Sequence, residues 1–189
     1  MKRVFIIHGW GGSGGEGWQF WLKDELEKKS FEAYTPDMPD TENPKIEAWV
    51  PFLAKLVGKC DADTFFVGHS IGCQTILRYL AELPAEEKAG GAIFVAGWFN
   101  LKGLTVQEEE IAMSWLRLPI EPKKIKSKVK KIFAVFSDND PVVPLDDEKL
   151  FKEKLGAETA ILKNKSHFTG EDGINELPIV LEKILEMAE

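Results

Sequence analysis

Residues Thr64–Gly72, TFFVGHSIG, leave this chain few ways to fold. Thr64, Phe65, Phe66 and Val67 form a short apolar run of β-prone side chains. Beyond Gly72 the period changes, and Cys73, Ile76, Leu77 and Leu80 recur at helical spacing. A buried strand must therefore become a helix within Gly68-His69-Ser70-Ile71-Gly72. That pentapeptide is G-x-S-x-G. In it a serine is lifted clear of a sheet on a strained turn, and the residues two positions either side lack a Cβ that would clash. Ser70 is accordingly the candidate nucleophile. The plainer alternative is a serine that only caps the helix.

The remaining chain alternates strand and helix signals. Arg3–His8 reads as a first strand, and the glycine-rich loop Gly9–Gly17 follows it directly. Trp18, Trp21, Leu22 and Leu26 mark a helix. Phe31–Thr35 is a short second strand stopped by Pro36. Ile46–Val57 is a helix that Pro51 must kink unless Pro51 lies in its first turn. After the Ser70 helix come a strand at Ala92–Ala96, an insertion whose helix opens on the capping box Thr105-x-x-Glu108, and a strand at Ile132–Phe136. The lysine-rich stretch Lys123–Lys131 reads as a solvated face. A helix closed by Gly156, a strand at Thr159–Leu162, a loop carrying His167 and a helix over Leu177–Leu185 complete the chain. This order predicts an α/β fold of three layers: a compact, mostly parallel sheet of about six strands with helices on both faces. One domain over residues 1–189 is expected, with a short lid-like insertion near residues 98–128.

Composition narrows the function. The net charge of −7 argues against a nucleic-acid partner. No apolar run approaches the roughly 20 residues of a membrane span, and no basic amphipathic helix suggests a membrane surface. The two cysteines, Cys60 and Cys73, do not make a disulfide framework, so the cytoplasm is the expected compartment.

A serine hydroxyl is a poor nucleophile until a base takes its proton, and the base needs an orienting acid. Ser70, Asp140 and His167 stand at strand carboxyl ends in the order Ser, Asp, His. The chain has three histidines. His69 lies inside the turn and should point away from Ser70. His8 ends the first strand and is expected to shape the glycine loop. His167 is left as the base. Asp140, held extended by Pro141, is preferred as the acid, with Asp138 the alternative. The amides of Ile71 and Trp10 are the expected oxyanion donors. No cofactor and no metal are called for.

These residues resemble the α/β-hydrolase superfamily and, within it, the small serine hydrolases similar to retinoblastoma-binding protein 9. The resemblance rests on HGWGG at His8–Gly12, Trp18…Trp21-Leu22, PDMPD at Pro36–Asp40, GHSIG at Gly68–Gly72, DNDPVVP at Asp138–Pro144 and Ser166-His167-Phe168. It spans nearly the whole chain. It implies a six-stranded parallel sheet, a Ser70–His167–Asp140 triad, no metal, and hydrolysis of small esters or similar acyl compounds. The name of the vertebrate protein comes from an LxCxE partner motif. Neither Cys60 nor Cys73 lies in one, so retinoblastoma-protein binding is not carried over.

Three other readings compete. A small-substrate amidase or peptidase would use the same groups. A non-catalytic interaction protein on the same fold would have no need of all three. Gly12–Gly17 also satisfies G-x-G-x-x-G, with Asp37 near the place of a ribose contact, but such a dinucleotide site leaves Ser70, Asp140 and His167 unexplained. For a small-molecule acyl substrate, Trp98, Phe99, Met113 and Trp115 of the insertion are the expected apolar pocket.

Overall fold

The computed structural model describes residues 1–189. Six strands form one sheet: β1 (Arg3–Ile7), β2 (Glu32–Tyr34), β3 (Thr64–His69), β4 (Ala89–Val95), β5 (Val129–Ser137) and β6 (Glu158–Leu162). Their order is β2-β1-β3-β4-β5-β6, and every neighbouring pair is parallel. Parallel neighbours need crossover connections, and helices supply them: α1 (Gly17–Glu27), α2 (Ile46–Val57), α3 (Ile71–Glu82), α4 (Val106–Arg117), α5 (Pro122–Lys128) and α6 (Asp147–Leu150), which runs on as a π-helical turn over Phe151–Leu155. The last helix, α7 (Pro178–Met187), follows β6. Helix α1 packs with α7 on one face, while α2, α3 and α5 pack in series on the other. Covered on both sides, β3 and β4 are buried at every residue.

The strand order reverses at β1. The chain leaves β1 toward β2 at one edge, then returns to lay β3 on the other side of β1. The loops after β1 and β3 consequently part at their carboxyl ends and open a crevice, the usual place for a ligand in such sheets. Ser70 and the glycine loop both lie there.

Local signals explain most boundaries. Thr105 caps α4: its Oγ1 accepts from Glu108 N at 3.3 Å, and the Glu108 carboxylate accepts from Thr105 N at 2.7 Å. Gly156 ends the π-helical turn in the left-handed region at φ 67°. Pro51 falls in the second turn of α2, so the Glu47 carbonyl loses its ladder donor while the helix runs through. The lysine-rich stretch is not one surface. Its first part is α5, which buries Ile125, and β5 already begins at Val129, three residues before the expected start.

Gly14 is where the glycine loop is held against the sheet. Its N–H donates to Asp37 Oδ1 at 2.8 Å, and a Cβ at this position would stand 1.9 Å from the Thr35 carbonyl oxygen. A Cβ on Gly15 meets nothing within 4 Å. Gly14→Ala should therefore destabilise the fold by about 1–3 kcal/mol, as overpacking against backbone does, while Gly15→Ala changes stability by less than about 0.5 kcal/mol. Denaturant midpoints of the two variants beside the parent check this.

Candidate active site

The turn at Ser70 has the conformation the pentapeptide requires. Ser70 sits at φ 51° and ψ −116°, between the last residue of β3 and the first of α3. A Cβ on Gly68 would lie 2.8 Å from Cys73 N, and one on Gly72 would lie 2.4 Å from the Ile7 carbonyl oxygen. Both positions are glycine because the turn folds onto itself on one side and onto β1 on the other. Ser70 is 9% exposed, enough for its hydroxyl to reach a cleft.

The structure brings Ser70, His167 and Asp140 together from three separate loops. His167 Nε2 lies 3.0 Å from Ser70 Oγ. Its Nδ1 lies 2.9 Å and 3.1 Å from the two carboxylate oxygens of Asp140. An ionised carboxylate only accepts, so Nδ1 carries the proton and Nε2 presents a lone pair to the serine hydroxyl. Asp140 is 5% exposed and is itself fixed, with Oδ1 accepting from Val142 N at 2.8 Å and Val143 N at 2.9 Å. Asp138 does something else: its Oδ1 accepts from Asn164 N at 2.8 Å, so it grips the loop that carries His167.

The two expected oxyanion donors are differently placed in the chain and alike in being free. The Ile71 amide opens α3, ahead of the intrahelical ladder. The Trp10 amide makes no hydrogen bond within the protein, although its neighbours Gly11 N and Gly12 N bond Thr41 O and Gly9 O. His8 shapes this loop. Met38 N donates to its Nε2 at 3.0 Å, so its Nδ1 is the donor to Gly9 O at 2.7 Å. Burial pushes its imidazole below the ordinary range, which keeps Nε2 free to accept.

These groups open into a cleft of about 710 Å³. Trp10, Leu104, Val142 and Phe168 are its only hydrophobic side chains; glycines and polar residues make up the rest of its lining. Four carboxylates, Glu16, Glu42, Glu108 and Glu171, border it with no lysine or arginine among its residues.

The expected apolar pocket lies elsewhere. None of Trp98, Phe99, Met113 and Trp115 lines this cleft. Trp98, Phe99 and Trp115 border a separate cavity of about 230 Å³, and Met113 faces outward. Packing explains the correction. Trp115 Nε1 donates to Pro44 O at 3.0 Å, its ring meets Trp49 edge-on, and Arg78 lies over it while donating to the Trp115 and Leu118 carbonyls. These bonds turn the aromatic face of α4 onto α2 and α3, so only Leu104 and Glu108 at the start of the insertion reach the cleft. In the glycine loop, Asp37 Oδ1 accepts from Gly14 N, so this aspartate has a part in holding the loop itself.

Several residues that hold the site were not singled out from sequence. Trp18 Nε1 donates to Phe168 O at 2.9 Å, and Asp172 accepts from His167 N at 3.2 Å and Thr169 N at 3.0 Å. A signal for each existed. A buried indole N–H needs an acceptor, and Thr169-x-x-Asp172 has capping-box spacing.

Comparison with known proteins gives the family and the fold. The serine hydrolase family profile matches residues 4–186. YdeN of Bacillus subtilis (strain 168) is 30% identical over 182 residues, covering 96% of this chain and 93% of its own. The crystal structure of the B. subtilis ydeN gene product superimposes with a TM-score of 0.91 at 27% identity, covering 99% of this chain and 98% of that one. At 15% identity, where the likeness speaks for the fold alone, stands Est1E of Butyrivibrio proteoclasticus with ferulic acid bound. Its TM-score is 0.74, over 98% of this chain and 87% of that one. A Paleococcus ferrophilus monoacylglycerol lipase, also at 15%, has a TM-score of 0.73 over 98% of this chain and 94% of that one. With a G-x-S-x-G turn at the switch point of a six-stranded parallel sheet, and a family profile spanning nearly its full length, the chain belongs to the serine hydrolase family, on the α/β-hydrolase fold.

Proposed function

We propose that this protein hydrolyses small carboxylic esters through Ser70, His167 and Asp140 and an acyl-enzyme. One observation carries the reading: a single imidazole lies within hydrogen-bond reach of both Ser70 Oγ and the buried Asp140 carboxylate. Ser70 Oγ attacks the ester carbonyl as its proton passes to His167 Nε2. Asp140 keeps the proton on Nδ1 and stabilises the imidazolium. The Trp10 and Ile71 amides receive the developing oxyanion. The tetrahedral intermediate collapses as His167 returns the proton to the leaving alcohol. A water, deprotonated by the same nitrogen, then releases the acid and restores Ser70.

The cleft, at about 710 Å³, has room for a small-molecule acyl substrate. Membership of the serine hydrolase family is the support for acyl chemistry at Ser70, and Est1E with ferulic acid bound and the monoacylglycerol lipase are proteins of the same fold.

A fluorophosphonate probe, with mass spectrometry locating the adduct, tests for an activated Ser70; a panel of short esters and matched amides then tests the reaction. Ser70→Ala and His167→Ala should each lower kcat by about 10⁴-fold or more, and Asp140→Asn by about 10³- to 10⁴-fold. Asp138→Asn should cost less than about tenfold, since it steadies a loop and does not orient the imidazole. A larger loss at Asp138 than at Asp140 would reverse the assignment of the acid.

The carboxylates around the cleft add a second expectation. No lysine, arginine or histidine pairs with Glu16, Glu42, Glu108 or Glu171. A p-nitrophenyl ester whose acyl group ends in a carboxylate should therefore show about tenfold lower kcat/KM than its uncharged isostere at low salt, with the gap narrowing as added salt screens the field. Equal values at low salt would mean that the bound acyl group lies beyond the reach of these charges.

A further inference from the structure

His69 is a buried titratable group for which the reaction above has no use. It is 5% exposed and immediately precedes Ser70. Its Nε2 lies 2.7 Å from the backbone carbonyl oxygen of His167. A carbonyl can only accept, so Nε2 holds the proton. The ring also stands between the two loops that matter. A Cβ on Gly9 would come within 2.9 Å of its Nδ1, and its centroid is 5.2 Å from that of His167. Behind it, Trp18 closes edge-on at 6.0 Å.

The loop it grips is under strain. Asn164, Ser166 and Phe168 all have positive φ, at 54°, 47° and 59°. Non-glycine residues persist there only where the surroundings over-determine them. Here they do so by reaching for the backbone. Asp138 takes Asn164 N, Ser137 Oγ takes Lys165 N, Asn139 Oδ1 takes Ser166 N, and Asp172 takes His167 N. Ser137, Asp138 and Asn139 accept these backbone N–H groups from the end of β5, and Asp172 accepts from within the loop itself. His69 and Trp18 supply the opposing grip, donating to the carbonyls of His167 and Phe168. Of the two, only His69 holds the residue that carries the base, and it does so from the residue next to the nucleophile.

We propose that His69 is a positioning residue: its Nε2–H anchors the His167 carbonyl and so sets the base against the serine that follows His69 in the chain. This rests on the triad reading above. A neutral donor is required at this place. A cation beside His167 would oppose the imidazolium that forms when the base takes the serine proton. Burial, reinforced by the neighbouring His167, pushes the His69 imidazole down to about 3, so it stays neutral.

Two variants separate the donor from the ring. His69→Phe keeps an aromatic ring and removes the N–H, while His69→Gln keeps an N–H donor. The rate of fluorophosphonate labelling at Ser70 is followed across the range in which histidine titrates. His69→Phe should label about 10- to 100-fold more slowly, as displacement of a reacting group does, with its pH profile displaced from the parent's. His69→Gln should label within about threefold of the parent. Labelling of His69→Phe at the parent rate with the parent profile overturns the proposal. So does equal slowing of both variants, which would assign the effect to packing. If the parent itself fails to label, the triad reading falls, and histidine ¹⁵N spectra of the parent protein still decide the anchor. The same spectra decide it if His69→Phe does not fold. A neutral His69 protonated at Nε2 throughout the titration supports it; a proton on Nδ1, or ordinary titration, overturns it.

Discussion

Helix α3 begins against the carboxyl end of β1, and the candidate site depends on that close approach. At Gly72 a methyl group would stand 2.4 Å from the Ile7 carbonyl oxygen and 2.6 Å from that of His8. At Gly68 it would press on the first turn of α3. The turn between them holds Ser70 at positive φ, a conformation that costs about 1–3 kcal/mol in a non-glycine residue. It is kept by bonds on both sides: Ser70 N donates to Val95 O on β4, and Cys73 N donates to Ser70 O, each at 3.0 Å. The twelve residues of α3 that follow are almost all buried, so the sheet and helix together outweigh the strain of one residue. The outcome is a hydroxyl at the mouth of the crevice, next to the loop that leaves β1.

The three histidines divide the work around that crevice. His8 folds the first loop back on itself and on Met38, leaving the Trp10 amide unpaired. His167 spans serine and aspartate. His69 lies between the two loops and bonds the second. Burial holds His8 and His69 in their neutral forms, and each ring uses that neutrality. His8 needs a lone pair on one nitrogen and a proton on the other. His69 donates without setting a second cation beside the base. Around them the polar side chains of the β5 exit loop, Ser137, Asp138 and Asn139, take up backbone N–H groups of residues 164–166. The DNDP segment thus shapes the histidine loop as well as supplying Asp140.

Where sequence reading succeeded and where it failed follow one pattern. The Ser70 turn, the Thr105 cap and the Gly156 stop were legible because each is written in residues a few positions apart whose chemistry is local. Strand edges shifted by up to three residues where pairing decided them, as at Val129, which is drawn into β5 by its register with Ala89. The insertion misled for a different reason. Trp98, Phe99 and Trp115 have the character of a pocket, but aromatic character carries no direction. Arg78 and the Pro44 carbonyl turned Trp115 toward α2 and α3, and neither partner is near it in sequence. Glu16, Glu42 and Glu171 are far apart in sequence, and only the folding together of three loops shows that they border one cleft.

Sequence alone determined the alternation of strands and helices, the strained turn at Ser70 and the order Ser, Asp, His. Each of these is a matter of periodicity, of glycine at set offsets or of residues placed at strand ends. Tertiary structure decided what needs distance across the chain. It set which aspartate meets His167, since Asp138 and Asp140 differ by two residues in sequence and diverge in space. It decided that His69 bonds the loop 98 residues away, and that the cleft is lined by the glycine loop and the histidine loop and not by the aromatic residues of the insertion. A hydrogen bond depends on where two groups end up, and side chains on opposite ends of the chain acquire a shared position only after β1, β3, β5 and β6 have been laid side by side.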